Sequence, residues 1–261
     1  VKKERIDKLL VLKGLAESRE KAKAMIMAGE VFVNGTRVEK PGSVVPEDAE
    51  IVIKKRFPYV SRGGLKLETA LKSFSIDVSG FVCLDIGAST GGFTDCLLKH
   101  GAEKVYSVDV GKGLLDQSLR NNERVVVIEG VNARYLSNEH VPEKVDLITI
   151  DVSFISLEKI LPVAKNFLKE SGKIVALVKP QFEVGKREAK RFKGVIKDPC
   201  LHSFSVKKIA EFSKKLGLIP VDVVLSYPPG PKGNKEFFLL LAREGKPVEP
   251  ERIDEITGCQ R

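Results

Sequence analysis

Four cysteines, three histidines, two methionines and no tryptophan stand in 261 residues. The cysteines, Cys83, Cys96, Cys200 and Cys259, have the spacing of neither a zinc site nor a CxxC redox pair. Reduced thiols, as in a cytosolic protein, are therefore expected, and no metal is. No apolar run approaches the ~18 residues of a membrane span, so no membrane partner is expected either. Lys2, Lys3, Glu4 and Arg5 interrupt the first residues, so no secretory leader is read there and the expected location is cytoplasmic. Charged residues, 30% of the chain, are spread rather than blocked, which argues against a disordered tail.

What is present points to a folded, basic protein. Hydrophobic residues make up 43%, and 13 Phe against 4 Tyr supply a core. The length allows one large domain or two. A net charge of +9 favours a polyanionic partner, because each cation set on a phosphate releases counterions.

Residues 1–55 read as a small α+β domain. Ile6, Leu9, Leu10 and Leu12 suit one helical face. Ser18 stands as an N-cap before Arg19-Glu20-Lys21-Ala22, opening a second helix that runs to about Ala28 and stops at Gly29. Val31-Phe32-Val33, the turn Asn34-Gly35 and Arg37-Val38 form a hairpin signal, and Ile51-Val52-Ile53 a last strand. With its segments "RIDKLL", "SREKAKAMIMAGEVFVNG" and "KPGSVV", this unit resembles the RNA-binding domain of the ribosomal protein S-four type over residues 3–53. The resemblance implies that the second helix and the turn after it face structured RNA. It makes Arg5, Ser18, Arg19, Lys21, Lys23 and Lys40 the candidate phosphate contacts. Residues 56–64 read as a linker, where Pro58 blocks a helix and Gly63-Gly64 loosens the backbone. Arg62, at its landing, joins the RNA-contact candidates. A helix from about Leu65 carries Lys66, Leu67, Ala70, Leu71 and Phe74.

Residues 65–245 alternate strands and helices. Strands are expected at 81–86, 104–109, 124–128, 145–150, 173–178, 220–225 and 236–242, with helices near 93–99, 113–120, 157–168 and 202–216. Such alternation means an α/β fold with a mainly parallel sheet covered on both faces. The last two strands are joined by "SYPPGPKGN", too short for a crossover helix, so they must pair antiparallel. The expected fold is a Rossmann-like seven-stranded sheet, its last strand antiparallel, behind a small α+β domain. At the end of the first strand, "VCLDIGASTGGFTD" supplies Asp85, Gly87, Ser89, Gly91 and Gly92. Tight glycine turns let backbone approach a ligand, and the helix from Phe93 aims its N-terminus there. Asp109 ends the second strand, where a carboxylate can accept ribose hydroxyls.

Four further polar residues stand where buried strands should end. Asp151 closes "DLITIDVSF", Lys179 falls in "KIVALVKPQF", Glu236 opens the last strand in "GNKEFFLLL", and Lys66 follows Arg62-Gly63-Gly64. Ligands of open α/β sheets bind at the carboxyl edge, so these groups should converge. A Lys-Asp-Lys-Glu set resembles the catalytic tetrad of FtsJ-like RNA ribose methyltransferases. With "YVSRGGLKL", "LDIGASTGGFTD", "IDVSFISL", "LVKPQFEVGK", "GVIKDP" and "GPKGNKEFFL", residues 3 to about 243 are similar to the TlyA, or hemolysin A-like, family. The resemblance implies 2′-O-methylation of a ribose, a cytidine, in ribosomal RNA, with S-adenosylmethionine (SAM) as cofactor. Free rRNA or ribosomal subunits would be the partner, with no obligate protein partner. Asp85, Gly87, Ser89, Gly91, Gly92, Phe93, Asp109, Asn132 and Asp151 would bind the cofactor. The remainder, 246–261, reads as a polar tail.

The chemistry accounts for the residue types. A ribose 2′-hydroxyl must lose its proton as the methyl arrives, and an amine accepts it only when neutral. Burial or a neighbouring cation favours that form. Lys66 and Lys179 are expected to face one another, with Lys179 as base and Asp151 and Glu236 orienting the pair. Adenine amine methylation would call for an (N/D)PP(Y/F) motif where Asp151-Val152-Ser153-Phe154 stands, and carbon methylation of cytosine for a cysteine nucleophile at a strand end. Neither is present. A membrane-active toxin and a non-catalytic RNA-binding protein are the alternatives from other classes.

Overall fold

Strand runs rich in Val, Ile and Leu with few polar interruptions are buried on both faces, as a sheet sandwiched between helices requires. The computed structural model describes residues 2–27, 29–53 and 58–260. Two compact units result, Val1–Pro58 and Tyr59–Arg261.

The first unit holds β1 (Lys3–Arg5), α1 (Ile6–Leu12), α2 (Arg19–Met27), β2 (Val31–Val33), β3 (Thr36–Arg37), β4 (Val44–Pro46) and β5 (Ile51–Ile53). β1 pairs with β4, and β2 lies between β3 and β5, all antiparallel. Ser18 Oγ accepts from the Lys21 amide at 3.1 Å, so the expected cap of α2 is formed. The expected end of α2, Ala28, lies outside the described residues. Asn34 and Gly35 take φ of 47° and 77°, the two positive values of a type I′ turn. Ile6, Leu9, Leu10, Ala22, Ile26 and Val31 make the core. Leu12 does not join it and is 66% exposed. At about 100° per residue it falls off the face shared by Ile6, Leu9 and Leu10.

The second unit contains α3 (Arg62–Ser73), β6 (Val82–Ile86), α4 (Gly92–Lys99), β7 (Lys104–Asp109), α5 (Gln117–Arg120), β8 (Val125–Glu129), β9 (Val145–Ile150) and α6 (Leu161–Ala164). It continues with β10 (Leu168–Val178), α7 (Pro180–Glu183), α8 (Lys186–Arg191), α9 (Pro199–Lys215), β11 (Ile219–Leu225), β12 (Phe237–Ala242) and α10 (Pro250–Thr257). The sheet order is β11-β12-β10-β9-β6-β7-β8, and β12 runs antiparallel to both neighbours while the rest are parallel. Side chains alternate between two cores, as a period of two dictates. Ile148, Ile174, Ala176, Phe237 and Leu239 enter one; Leu147, Val175, Leu177, Phe238 and Leu240 enter the other.

Several expectations are corrected. The helix expected over 113–120 shrinks to α5, capped by Asp116 accepting from the Ser118 amide at 2.9 Å. The helix expected over 157–168 is broken into α6 between two short 3₁₀ turns, and β10 starts at Leu168 rather than 173. The expected linker is folded from Tyr59 onward: Tyr59 is buried, the Val60 amide donates to Asp95 at 2.8 Å, and Ser61 caps α3. Residues 56 and 57 of that linker lie outside the described residues. The expected polar tail carries α10, which turns Ile253 and Thr257 into the unit and ties Asp254 to Ser203 and Lys207 on α9. Nor are all the thiols reduced. Cys200 and Cys259 form a disulfide across a Cα separation of 4.7 Å, joining the start of α9 to the end of α10, while Cys83 and Cys96 are free and buried. Packing of α10 brings together cysteines that sequence spacing kept apart.

Candidate functional site

The strand β6 ends at Ile86, and the chain must then clear the neighbouring backbone of β9. Gly87 does so at φ 87°, and a Cβ there would strike the Asp151 carbonyl. Gly91, at φ 96°, starts α4. Above this turn a cavity of about 410 Å³ is lined by Gly87, Ser89, Asp109, Asn132 and Asp151, with Val108 and Val131 among its apolar walls. Each oxygen of Asp109 accepts one backbone amide, Oδ2 from Ser89 and Oδ1 from Gly111, both at 2.7 Å. The carboxylate is thereby fixed on the cavity wall with lone pairs left for ligand hydroxyls. Asn132 Oδ1 accepts from the Arg134 amide at 3.1 Å, which holds the far wall. The cavity volume suits a small organic ligand, and its apolar walls with a few fixed acceptors fit the nucleoside and cationic parts of SAM.

Gly92 and Phe93 line an adjoining cavity of about 240 Å³, shared with Arg62, Lys66, Ser89 and Asp151. Two expected cofactor residues line none of these spaces. Gly91 is one. The other is Asp85, which is fully buried beneath the turn and accepts from Thr94 Oγ1 at 2.8 Å and Thr149 Oγ1 at 2.9 Å. Burial pushes its carboxyl up to about 7, against which the two threonine hydroxyls act. Asp85 braces the floor and does not face the ligand space.

The four residues of the expected tetrad come together. Asp151 follows β9, Lys179 follows β10, Glu236 precedes β12 and Lys66 sits on α3; all four line a cavity of about 890 Å³. Lys66 donates to Glu236 Oε2 at 2.7 Å. Lys179 lies 2.5 Å from Asp151 Oδ1, outside hydrogen-bond angles, and donates to Ser153 Oγ at 3.0 Å. The polar atoms are paired as ammonium with carboxylate, not as the expected lysine facing lysine. Glu236 Oε1 is buried with no hydrogen-bond partner among the described residues, an acceptor open to whatever enters the cavity. Asp151 is the one tetrad residue that also lines the smaller, 410 Å³ cavity.

In the first unit the expected phosphate contacts divide. Lys21, Lys23 and Lys40 are exposed. Ser18 is engaged as a cap. Arg5 and Arg19 both hold buried Asp7, at 3.0 and 2.9 Å, and remain about half exposed. The Arg5 hydrogen bond, followed by Arg19, keeps the Asp7 carboxyl well below its ordinary range. Two guanidiniums are so fixed side by side.

Sequence reasoning missed residues of the larger cavity. Ser153 and Phe154 lie two and three residues after Asp151; the Phe154 ring is 91% exposed and lies 5.1 Å from the Phe182 ring. Lys193 and Lys232 line the same space. Proximity to the strand end marks the first two, whereas nothing in the sequence distinguishes those two lysines from the chain's many others.

Comparison with known proteins identifies the families to which the two units are similar. Residues 59–243 match the FtsJ-like methyltransferase family and residues 4–51 match the S4 domain. The 16S/23S rRNA (cytidine-2′-O)-methyltransferase TlyA of Mycobacterium tuberculosis is 46% identical, over 91% of this chain and 89% of the relative. The 23S rRNA (cytidine-2′-O)-methyltransferase TlyA of Campylobacter jejuni is 38% identical, over 87% of this chain and 95% of the relative. A solved structure from Streptococcus thermophilus, of a protein named for hemolysin, superposes with a TM-score of 0.75 at 40% identity, over 98% of this chain and 94% of that one. The chain belongs to the FtsJ-like methyltransferase family and, with its S4 domain in front, to the TlyA/hemolysin A group within it.

Proposed function

We propose that this protein transfers a methyl group from SAM to the 2′-oxygen of a cytidine ribose in 23S ribosomal RNA, the substrate named for both TlyA relatives. The observation that carries the reading is the place of Asp151: it walls both the small cavity and the large one, with Lys179 2.5 Å away. Donor and acceptor spaces therefore meet at one carboxylate.

SAM, when bound, supplies an electrophilic methyl on a cationic sulfur. Gly87, Asp109 and Asn132 would hold it in the smaller cavity, Asp109 through the ribose hydroxyls. Asp151 would then stand between two cations. The neutral amine is the form of Lys179 that can act as base. Lys179 takes the 2′-hydroxyl proton as the oxygen–methyl bond forms, and later yields it to solvent. Glu236, through Oε1, accepts from the ribose and, through Oε2, holds Lys66. General-base assistance is worth roughly 10²–10⁴ in rate. Positioning of the oxygen against the methyl accounts for more.

The S4 unit would supply affinity through Arg5, Arg19, Lys21, Lys23 and Lys40, and Arg62 would add to it beside the catalytic cavity. A tetrad assembled in one cavity favours catalysis over the non-catalytic RNA-binding reading. No helix among the described residues is long and apolar enough to cross a membrane. Incubation with rRNA and labelled SAM, followed by nucleoside analysis, tests the proposal: 2′-O-methylcytidine is expected, and methylation on a base alone would reject it.

A further inference from the structure

Two loops meet over the larger cavity and are joined by one side chain. Asn234, 5% exposed, donates from Nδ2 to the Gly194 carbonyl at 2.9 Å and accepts at Oδ1 from the Ile196 amide at 3.2 Å. Gly194 and Ile196 lie between α8 and α9, and Asn234 lies between β11 and β12. A buried amide satisfied in this way fixes the distance between the two loops.

Each loop carries one exposed lysine on the cavity wall, Lys193 and Lys232. Their backbones take φ of 51° and 56°, a left-handed conformation uncommon for side chains other than Gly, Asn and Asp. Residues held so around one cavity call for an account by what they face. Lys66 and Lys179 are each paired with a tetrad carboxylate. Among the described residues no carboxylate pairs with Lys193 or Lys232, and no hydrogen bond engages either ammonium. Two free cations thus stand at the mouth of a space whose floor is the tetrad.

We propose that Lys193 and Lys232 hold the two phosphodiesters flanking the target nucleotide, and that Asn234 is the positioning residue that sets their spacing. The proposal rests on the ribose-methylation reading. A ribose in the cavity carries one phosphate on each side, and both must leave by the mouth. An ammonium on each would hold the strand at the cavity mouth through its phosphates, adding RNA affinity equally in the ground and transition states without touching the reacting atoms.

The test is steady-state methylation of an rRNA target by the full protein, titrating RNA at several salt concentrations. Lys193→Ala and Lys232→Ala should each raise KM for RNA about tenfold. Each should also flatten the slope of log KM against log salt by ~0.7, the loss of one phosphate contact. kcat at saturating RNA should change by less than about threefold. Asn234→Ala should reproduce the KM and salt slope of the double lysine variant and add little in its background. Asn234→Asp keeps the acceptor for Ile196, loses the donor to Gly194, and should fall between. If Asn234→Ala does not fold, the lysine variants still decide. A wild type that methylates ribose, with lysine variants matching it in KM and salt slope, overturns the phosphate grip alone. A wild type that methylates no ribose overturns the function on which it rests.

Discussion

Asp85→Asn separates a brace from a ligand contact. Asp85 is fully buried, its acid form favoured by desolvation up to about 7 from an ordinary 3.8. The shift, about 3 pH units at roughly 1.4 kcal/mol each, amounts to about 4 kcal/mol. The folded state thus binds this proton more tightly than the unfolded one. Its stabilisation is fully present below pH 3.8 and is lost as pH rises through about 7. Asparagine cannot ionise and can still bond Thr94 and Thr149 by turning their hydroxyls. Thermal unfolding of wild type and Asp85→Asn should therefore be compared between pH 4 and 8. The variant should gain on wild type as pH rises, by up to about 4 kcal/mol, or on the order of 10 °C for a unit of this size. SAM affinity should stay within a few-fold, since Asp85 lines no cavity. Parallel stability curves across that range would refute the buried-acid account, and a large loss of SAM affinity would return Asp85 to the ligand wall.

Asp109→Ala should weaken SAM binding at least tenfold by calorimetry, because it removes the fixed acceptor, and should leave RNA binding unchanged. Glu236→Gln should lower kcat more than KM by loosening Lys66, which single-turnover kinetics would resolve; equal effects on both would argue against it. Removing residues 1–58, a unit with its own core, should spare SAM binding and raise KM for rRNA by more than about a hundredfold. Cys200→Ser should make the thermal midpoint insensitive to dithiothreitol, whereas the wild-type midpoint should fall in it as the tie between α9 and α10 opens.

The parallel strands were legible because buried on both faces they must be uniformly apolar, and β7 and β9 fall on the expected residues. The convergence of Lys66, Asp151, Lys179 and Glu236 on one cavity was legible because a charge ending a buried strand has few structural reasons to be there. The helix α10 could have been found: Pro250 at its start and Gly258 just past its end, at φ 80°, are the usual signals. Its charge, Glu-Arg-Asp-Glu, outweighed the Ile253, Ile256 and Thr257 stripe. The Lys66–Glu236 and Lys179–Asp151 partition was not legible, because it depends on side-chain reach across four chain segments. The same holds for Asp85. Its spacing in the glycine motif is that of a ligand-binding acid, but its direction is set by Thr94 and Thr149, which only the folded sheet brings to it.

The central claim is that Lys179 takes the proton from a ribose hydroxyl. Single-turnover methylation of rRNA by wild type, Lys179→Ala and Lys179→Arg, with the product mapped by mass spectrometry, tests it most directly. The account predicts 2′-O-methylcytidine with wild type. It predicts a rate lower by roughly 10²–10⁴ with either variant, and nearly unchanged SAM and RNA binding, because a guanidinium keeps its charge but cannot accept the proton. An arginine variant that retains substantial activity would contradict it and make Lys179 a positioning cation.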